Sequence, residues 1–183
     1  MLSCPFSTVP GWIAQLSQLT TLELCLVKTP TDSAIEVLTR LHGLIHLFLH
    51  VMTVLDRNII FCGTAFPVLT CFGFMSSAPC LTFKQGALPK LQKLDIFTGV
   101  YNAIDAGQYG KMLVGIEHLQ SLEQVTVNIN CWYLGESEVE KAEDALRSAI
   151  KINPRDLNIQ IKQFIPSGKL TTNCRGIDMD NFV

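Results

Sequence analysis

One pattern occurs five times along this chain, and it limits the possible folds more than any other feature. The segments LSQLTTLEL, LHGLIHLFL, FPVLTCFGF, LPKLQKLDI and LQSLEQVTV all read L-x-x-L-x-x-L-x-L, with other apolar residues in place of some leucines. Taking Leu22, Leu47, Phe72, Leu94 and Val125 as equivalent positions, successive copies stand 25, 25, 22 and 31 residues apart. The first three spacings lie within the roughly 20–29 residues of one structural unit in such an array, and the last carries a small insertion.

The last two apolar positions of each copy alternate with polar ones, the mark of a half-buried strand. The two before them, three residues apart, turn the chain into that strand. A single unit cannot bury its own leucines, so neighbours must stack into a continuous core. The expected fold is therefore an α/β leucine-rich-repeat solenoid over 1–134: a curved parallel sheet with a helical or irregular convex side. On that convex side, Ser33 to Glu36 reads as a capping box opening a helix that runs to about Leu41. Residues 51–65 show no period and are expected to be irregular. Pro79 and Gly86 make 75–87 a loop, and a helix is expected near Gln108 to Glu117.

After Val127 the pattern stops. Ser137 to Glu140 reads as a second capping box. The helix behind it carries Val139, Ala142, Leu146, Ala149 and Ile150 on one face and charge on the other. Asn153-Pro154 ends it, and Leu157 to Lys162 alternates as a final strand. Residues 135–164 are thus expected to cap the array, and 165–183 to form a disordered tail. At the other end, VPGWIAQL over 9–16 reads as the convex part of a repeat whose strand should lie before residue 1. An N-terminal truncation is expected on that ground.

Composition narrows the partners. The chain is 48% apolar and 16% charged with a net charge of −2, which argues against nucleic acid or an anionic membrane as its partner. Its longest apolar stretch, Gly43 to Leu55, is broken by His46 and His50 and is too short to span a bilayer. The first residues lack the basic start and apolar run of a signal peptide. Seven scattered cysteines with no C-x-x-C pair read as reduced thiols in a cytoplasmic setting.

Residues flanking the strand leucines should point to solvent on the concave side. Across the repeats the first column is Thr21, His46, Cys71, Lys93 and Gln124. The middle column is Glu23, Phe48, Gly73, Asp95 and Thr126, and the third is Cys25, His50, Met75, Phe97 and Asn128. Glu23, His46, Phe48, His50, Met75, Lys93, Asp95, Phe97, Thr126 and Asn128 are the candidate partner-binding face. Phe48 and Phe97 are expected as exposed rings, which suit a protein contact or cover by another domain of the same polypeptide.

No catalytic, cofactor or metal site is expected. His46 and His50 lie on one strand, about 13 Å apart at ~3.3 Å per residue, too far to share an ion. Gly168-Lys169 resembles the end of a phosphate loop, but Gln163 stands where its first glycine should be. The acidic run Glu136, Glu138, Glu140, Glu143 and Asp144 reads as the wet face of a helix. No nucleophile has a base at a supporting spacing.

VPGWIAQLSQLTTLEL, LPKLQKLDI and the ending GIEHLQSLEQVTV, VEKAEDALRSAI, NPRD and LNIQIKQF resemble a known family. They are similar to the C-terminal leucine-rich-repeat region of plant intracellular immune receptors, the nucleotide-binding disease-resistance proteins of the grass coiled-coil class. The resemblance covers about residues 9–164. It implies a sensor and autoinhibitory segment whose partner is a pathogen effector, a guarded host protein or the receptor's own nucleotide-binding domain. The coiled coil and nucleotide-binding domain of that family are not in this sequence, so nucleotide binding does not carry over. Nor is the asparagine ladder of extracellular plant repeats kept: Val27, Met52, Ser77, Gly99 and Asn130 stand at its positions. Two alternatives stay open, a stand-alone adaptor such as an F-box-type substrate receptor and a non-functional truncated receptor fragment.

Overall fold

The computed structural model describes residues 5–53, 57–63, 65–77, 80–99, 109–131 and 135–164. In all five copies of the pattern the first two apolar residues close a tight turn. The N–H of Leu19, Leu44, Leu69, Leu91 and Leu122 donates to the carbonyl of Leu16, Leu41, Phe66, Leu88 and Leu119, at 3.0, 3.1, 3.3, 3.1 and 3.2 Å. Phe66 and Leu88 make the turn with positive φ, 55° and 49°, a conformation costly for a side chain with a Cβ. Both are fully buried, and that burial offsets the strain.

In chain order the elements are a 3-10 turn (Gly11–Gln15), β1 (Thr21–Leu26), α1 (Asp32–Thr39), β2 (His46–Val51), β3 (Ile59–Phe61) and β4 (Cys71–Ser76). They continue with β5 (Leu81–Phe83), β6 (Lys93–Gly99), β7 (Leu113–Val114), a second 3-10 turn (Ile116–His118), β8 (Gln124–Asn130), α2 (Glu136–Ile150) and β9 (Asn158–Phe164). The repeat strands form one parallel sheet in the order β1-β2-β4-β6-β8-β9. Leu22, Leu47, Phe72, Leu94 and Val125 lie side by side in its register, as the repeat alignment requires. One carbonyl ahead of each strand holds the next unit in place. Thr20, Ile45, Thr70 and Gln92 each accept two N–H groups from the following repeat, at 2.8–3.1 Å.

The other side of the core is more regular than the sequence suggests. β3, β5 and β7 form a second parallel sheet of three short strands. Two expectations are corrected here: 51–65 and 75–87 are not wholly irregular, because Ile59–Phe61 and Leu81–Phe83 pair as strands. Three residues are too few to show a period, and their partners lie a full repeat away. Inside this layer Phe61 stacks on Phe83 at 5.7 Å and meets Phe72 edge-on at 5.3 Å. The helix expected near Gln108 to Glu117 is also corrected. Gln108 lies outside the described residues; Tyr109 is helical, but Leu113–Val114 is a strand followed by a 3-10 turn. Gly115 links the two at φ 79°, where a Cβ would collide with the Phe83 carbonyl.

Both helices begin earlier than expected. The N-cap of α1 is Thr31, whose hydroxyl accepts from the Ala34 N–H at 3.2 Å, while Ser33 only bonds that hydroxyl. In α2 the cap is Gly135, and Glu138 reaches back to accept from its N–H at 2.9 Å. The apolar face of α2 is as read: Val139, Ala142, Leu146, Ala149 and Ile150 are buried. β9 pairs with β8 in the ladder's own register, Val125 against Ile159, so the sheet runs on into the ending. At the other end Phe6 bridges to Leu26, which places at least the end of the strand expected before residue 1 inside the chain. The expected tail at 165–183, including Gly168-Lys169, lies outside the described residues.

Asn153 joins α2 to the last repeat. It is 4% exposed, and its amide donates to the carbonyls of Ile116 and Leu119 at 2.7 and 3.3 Å. Its own oxygen accepts from the Arg155 N–H at 3.0 Å, closing the turn through Pro154. Asn153→Ala removes three hydrogen bonds from a buried turn, and we expect a loss of about 2–4 kcal/mol. Thermal unfolding by circular dichroism should show the midpoint lowered by about 5–15 °C for a chain of this size. An unchanged midpoint would refute this role.

Candidate partner-binding face

Side chains alternate along each strand of the large sheet, so half of them leave the core and line its open face. The ladder aligns them into three columns. Thr21, His46, Cys71, Lys93 and Gln124 are neighbours in the first. Glu23, Phe48, Gly73, Asp95 and Thr126 follow in the second, and Cys25, His50, Met75, Phe97 and Asn128 in the third. All ten candidate residues therefore fall on one surface. The final strand was expected, but not as a member of the ladder: Asn158, Gln160 and Lys162 extend the three columns. The alternation of Leu157 to Lys162 was visible, but the step from Val125 to Ile159 is 34 residues and breaks the period.

The centre of the face is packed rather than open. Phe48 is only 9% exposed, which corrects its expected exposure, and Phe97 is half-buried. Gly73 stands beside Phe48 on the intervening strand and carries no side chain, so the two rings meet across it. Their centroids are 5.9 Å apart at 67°, an edge-to-face contact adding about 0.5–1.5 kcal/mol beyond area burial. The platform is therefore preorganised by its own aromatic pair. Around it, Glu23 and Met75 are half-buried and Lys93 is exposed.

Several polar groups on this face are engaged with their neighbours. Thr21 Oγ1 lies 3.4 Å from His46 Nδ1, and Cys25 Sγ lies 3.5 Å from His50 Nδ1. Burial lowers the pKa of His50 and so favours the neutral imidazole. Beside Phe97, Asp95 is held above the usual carboxylate range. Burial is the main cause, opposed by a hydrogen bond from Thr126 and by the charges of Lys93 and Lys162. Gln124 Nε2 in turn donates to Thr126 Oγ1 at 3.3 Å, and Thr126 is 6% exposed. This is a surface for hydrogen bonding and packing, with one carboxylate already partly desolvated. Among the described residues no three His, Cys, Asp or Glu groups could hold a metal ion together. Cys62, Cys71 and Cys80 are free thiols.

A sequence model of the family described as leucine-rich repeat region matches residues 1–159. The chain belongs to that family. The region is 34% identical over 160 residues to Disease resistance protein RGA5 of Oryza sativa subsp. japonica. That alignment spans 87% of this chain and 14% of the rice protein. The chain is thus a leucine-rich-repeat region homologous to a plant disease-resistance protein. No solved structure matches it. Among the described residues no helix is long and apolar enough to cross a membrane.

The raised pKa of Asp95 has a definite sign for stability. Between its ordinary value of 3.8 and the higher folded value, the native state binds more protons than the unfolded chain. Stability contributed by this group therefore falls as pH rises through that window and stays low above it. Asp95→Asn should raise the urea midpoint at pH 7, with the gain shrinking towards pH 3.8 and absent below it. His50 acts at the other end of the scale. Its lowered folded pKa costs stability as pH falls below 6.5, and His50→Gln should flatten that slope. Parallel pH profiles of parent and variants would expose an error in either sign.

Proposed function

We propose that this leucine-rich-repeat region is a non-catalytic recognition module, the sensor and autoinhibitory arm of a plant immune receptor acting in the cytoplasm. The observation that carries the reading is the six-strand register, which aligns three columns of side chains into one preorganised face. A surface already packed at its centre loses little side-chain entropy on binding, which favours affinity for a protein partner. Homology to a disease-resistance protein supports the receptor context. The candidate partners are a pathogen effector, a guarded host protein, or a nucleotide-binding domain of the same polypeptide. The binding residues are Glu23, His46, Phe48, His50, Met75, Lys93, Asp95, Phe97, Thr126 and Asn128. In this reading Phe48 and Thr126 act mainly by shaping the face, and Met75, Lys93, Phe97 and Asn128 by touching the partner.

Immunoprecipitation of the native polypeptide from its own tissue, with an antibody against α2, tests the context. We expect a polypeptide several times the size of this chain that carries a nucleotide-binding domain. A band at the size of this chain, co-purifying with ubiquitin-ligase subunits, would favour a stand-alone adaptor. For the face itself, Met75→Asp with Lys93→Glu should weaken co-purification of the partner at least about tenfold. Undiminished co-purification, with circular dichroism unchanged, would move the binding site off this sheet.

A further inference from the structure

The opposite side of the solenoid offers a second surface, independent of the open face. In the first repeat the convex element is the helix α1, whereas in the next three it is a strand, β3, β5 and β7. The small sheet therefore ends at β3. The Ile59 N–H donates to the Cys80 carbonyl at 2.9 Å, and the Phe61 carbonyl accepts from the Lys84 N–H at 2.8 Å. Both residues thus turn their backbone groups to β5. Strand alternation then turns the N–H and C=O of Ile60, between them, to the free side. The element on that side is α1, whose own backbone groups are used within the helix. A helix cannot supply a ladder partner.

Between α1 and β3 lies a groove of about 670 Å³, within the size range of clefts that bind ligands. Ile35, Ile60 and Phe61 give it apolar walls. Asp32 and Glu36, one helical turn apart on α1 and exposed, line it with two carboxylates. Among the described residues that line it, none is a lysine or arginine, and Arg57, ahead of β3, is not part of the wall. β3, at three residues, is a short edge, but its side chains carry none of the usual guards. Ile59-Ile60-Phe61 has no charge and no proline, and Ile60 is 43% exposed.

We propose that this groove binds an extended, basic peptide segment of a partner protein, which adds to β3 as a fourth strand of the small sheet. Backbone hydrogen bonds at Ile60 would supply affinity. Alternate arginine or lysine side chains reaching Asp32 and Glu36 would supply selectivity. The charge of the groove favours a basic segment over an acidic or neutral one.

The probe is the capped peptide Val-Arg-Val-Lys-Val, titrated into the whole chain labelled with 15N. We expect the Ile60 amide to shift and to become protected from solvent exchange as the peptide saturates. A peptide N-methylated on alternate amides should bind about tenfold more weakly, the loss of one or two backbone hydrogen bonds. Asp32→Asn with Glu36→Gln, both on the wet side of α1, should weaken binding and flatten its dependence on salt. Three results would overturn the proposal. The first is no binding up to about 1 mM. The second is equal binding of the N-methylated peptide. The third is protection of Ile60 that grows with protein concentration alone, which would make the occupant a second copy of this chain. Because the probe acts at β3, loss of binding to the open face would leave this result unchanged, and the reverse.

Discussion

The structure depends on apolar side chains that cannot be hidden within the unit that carries them. Each repeat brings two inward strand residues and two turn residues, and apart from Leu16, which stays exposed, they need walls supplied by neighbouring repeats. Full burial of one such side chain is worth about 1.5–3 kcal/mol, so the stack rather than any single unit holds the stability. The ladder makes that stacking unambiguous. A slip of one residue would turn every leucine outward, and the carbonyls of Thr20, Ile45, Thr70 and Gln92 fix the register where each strand begins. Burial at the turns is strong enough to keep Phe66 and Leu88 in left-handed backbone.

The convex layer obeys weaker constraints, and it varies accordingly. A helix serves the first repeat, strands of two or three residues the next three, and a longer helix the fifth. Where strands follow one another they pair and enclose the phenylalanine cluster around Phe61. Where a helix meets a strand the pairing stops, and backbone groups are left facing a groove. The irregularity of this layer is therefore what creates a second candidate surface. The open face arises in the opposite way, from strict regularity.

On that open face, regularity brings together residues that lie from 22 to 67 positions apart in sequence. Asp95 receives a hydrogen bond from Thr126 on the next strand and the field of Lys162 one strand further on. Phe48 and Phe97 touch because the strand between them carries a glycine. The face thus enters any encounter with its central groups already paired and packed. Such a surface discriminates by shape and by the few groups left free to bond, which is how a recognition module differs from a merely adhesive one.

Period and alternation were enough to determine the leucine-rich-repeat architecture, the register of five strands and the first five members of each column. Side chains on a strand alternate strictly, so aligning one leucine per repeat aligns everything else. The apolar face of α2 was legible for the same reason, through its helical spacing. Only the tertiary structure decided that Phe48 is buried, that β9 is a sixth member of the ladder, and that Asn153 ties α2 to the last repeat. Each of these depends on contacts between residues far apart in the chain, and no local pattern encodes a neighbour's missing side chain or a distant carbonyl. The short strands β3, β5 and β7 were hidden for a related reason. Two or three residues carry too little propensity to form a strand alone, and only pairing across repeats makes them one.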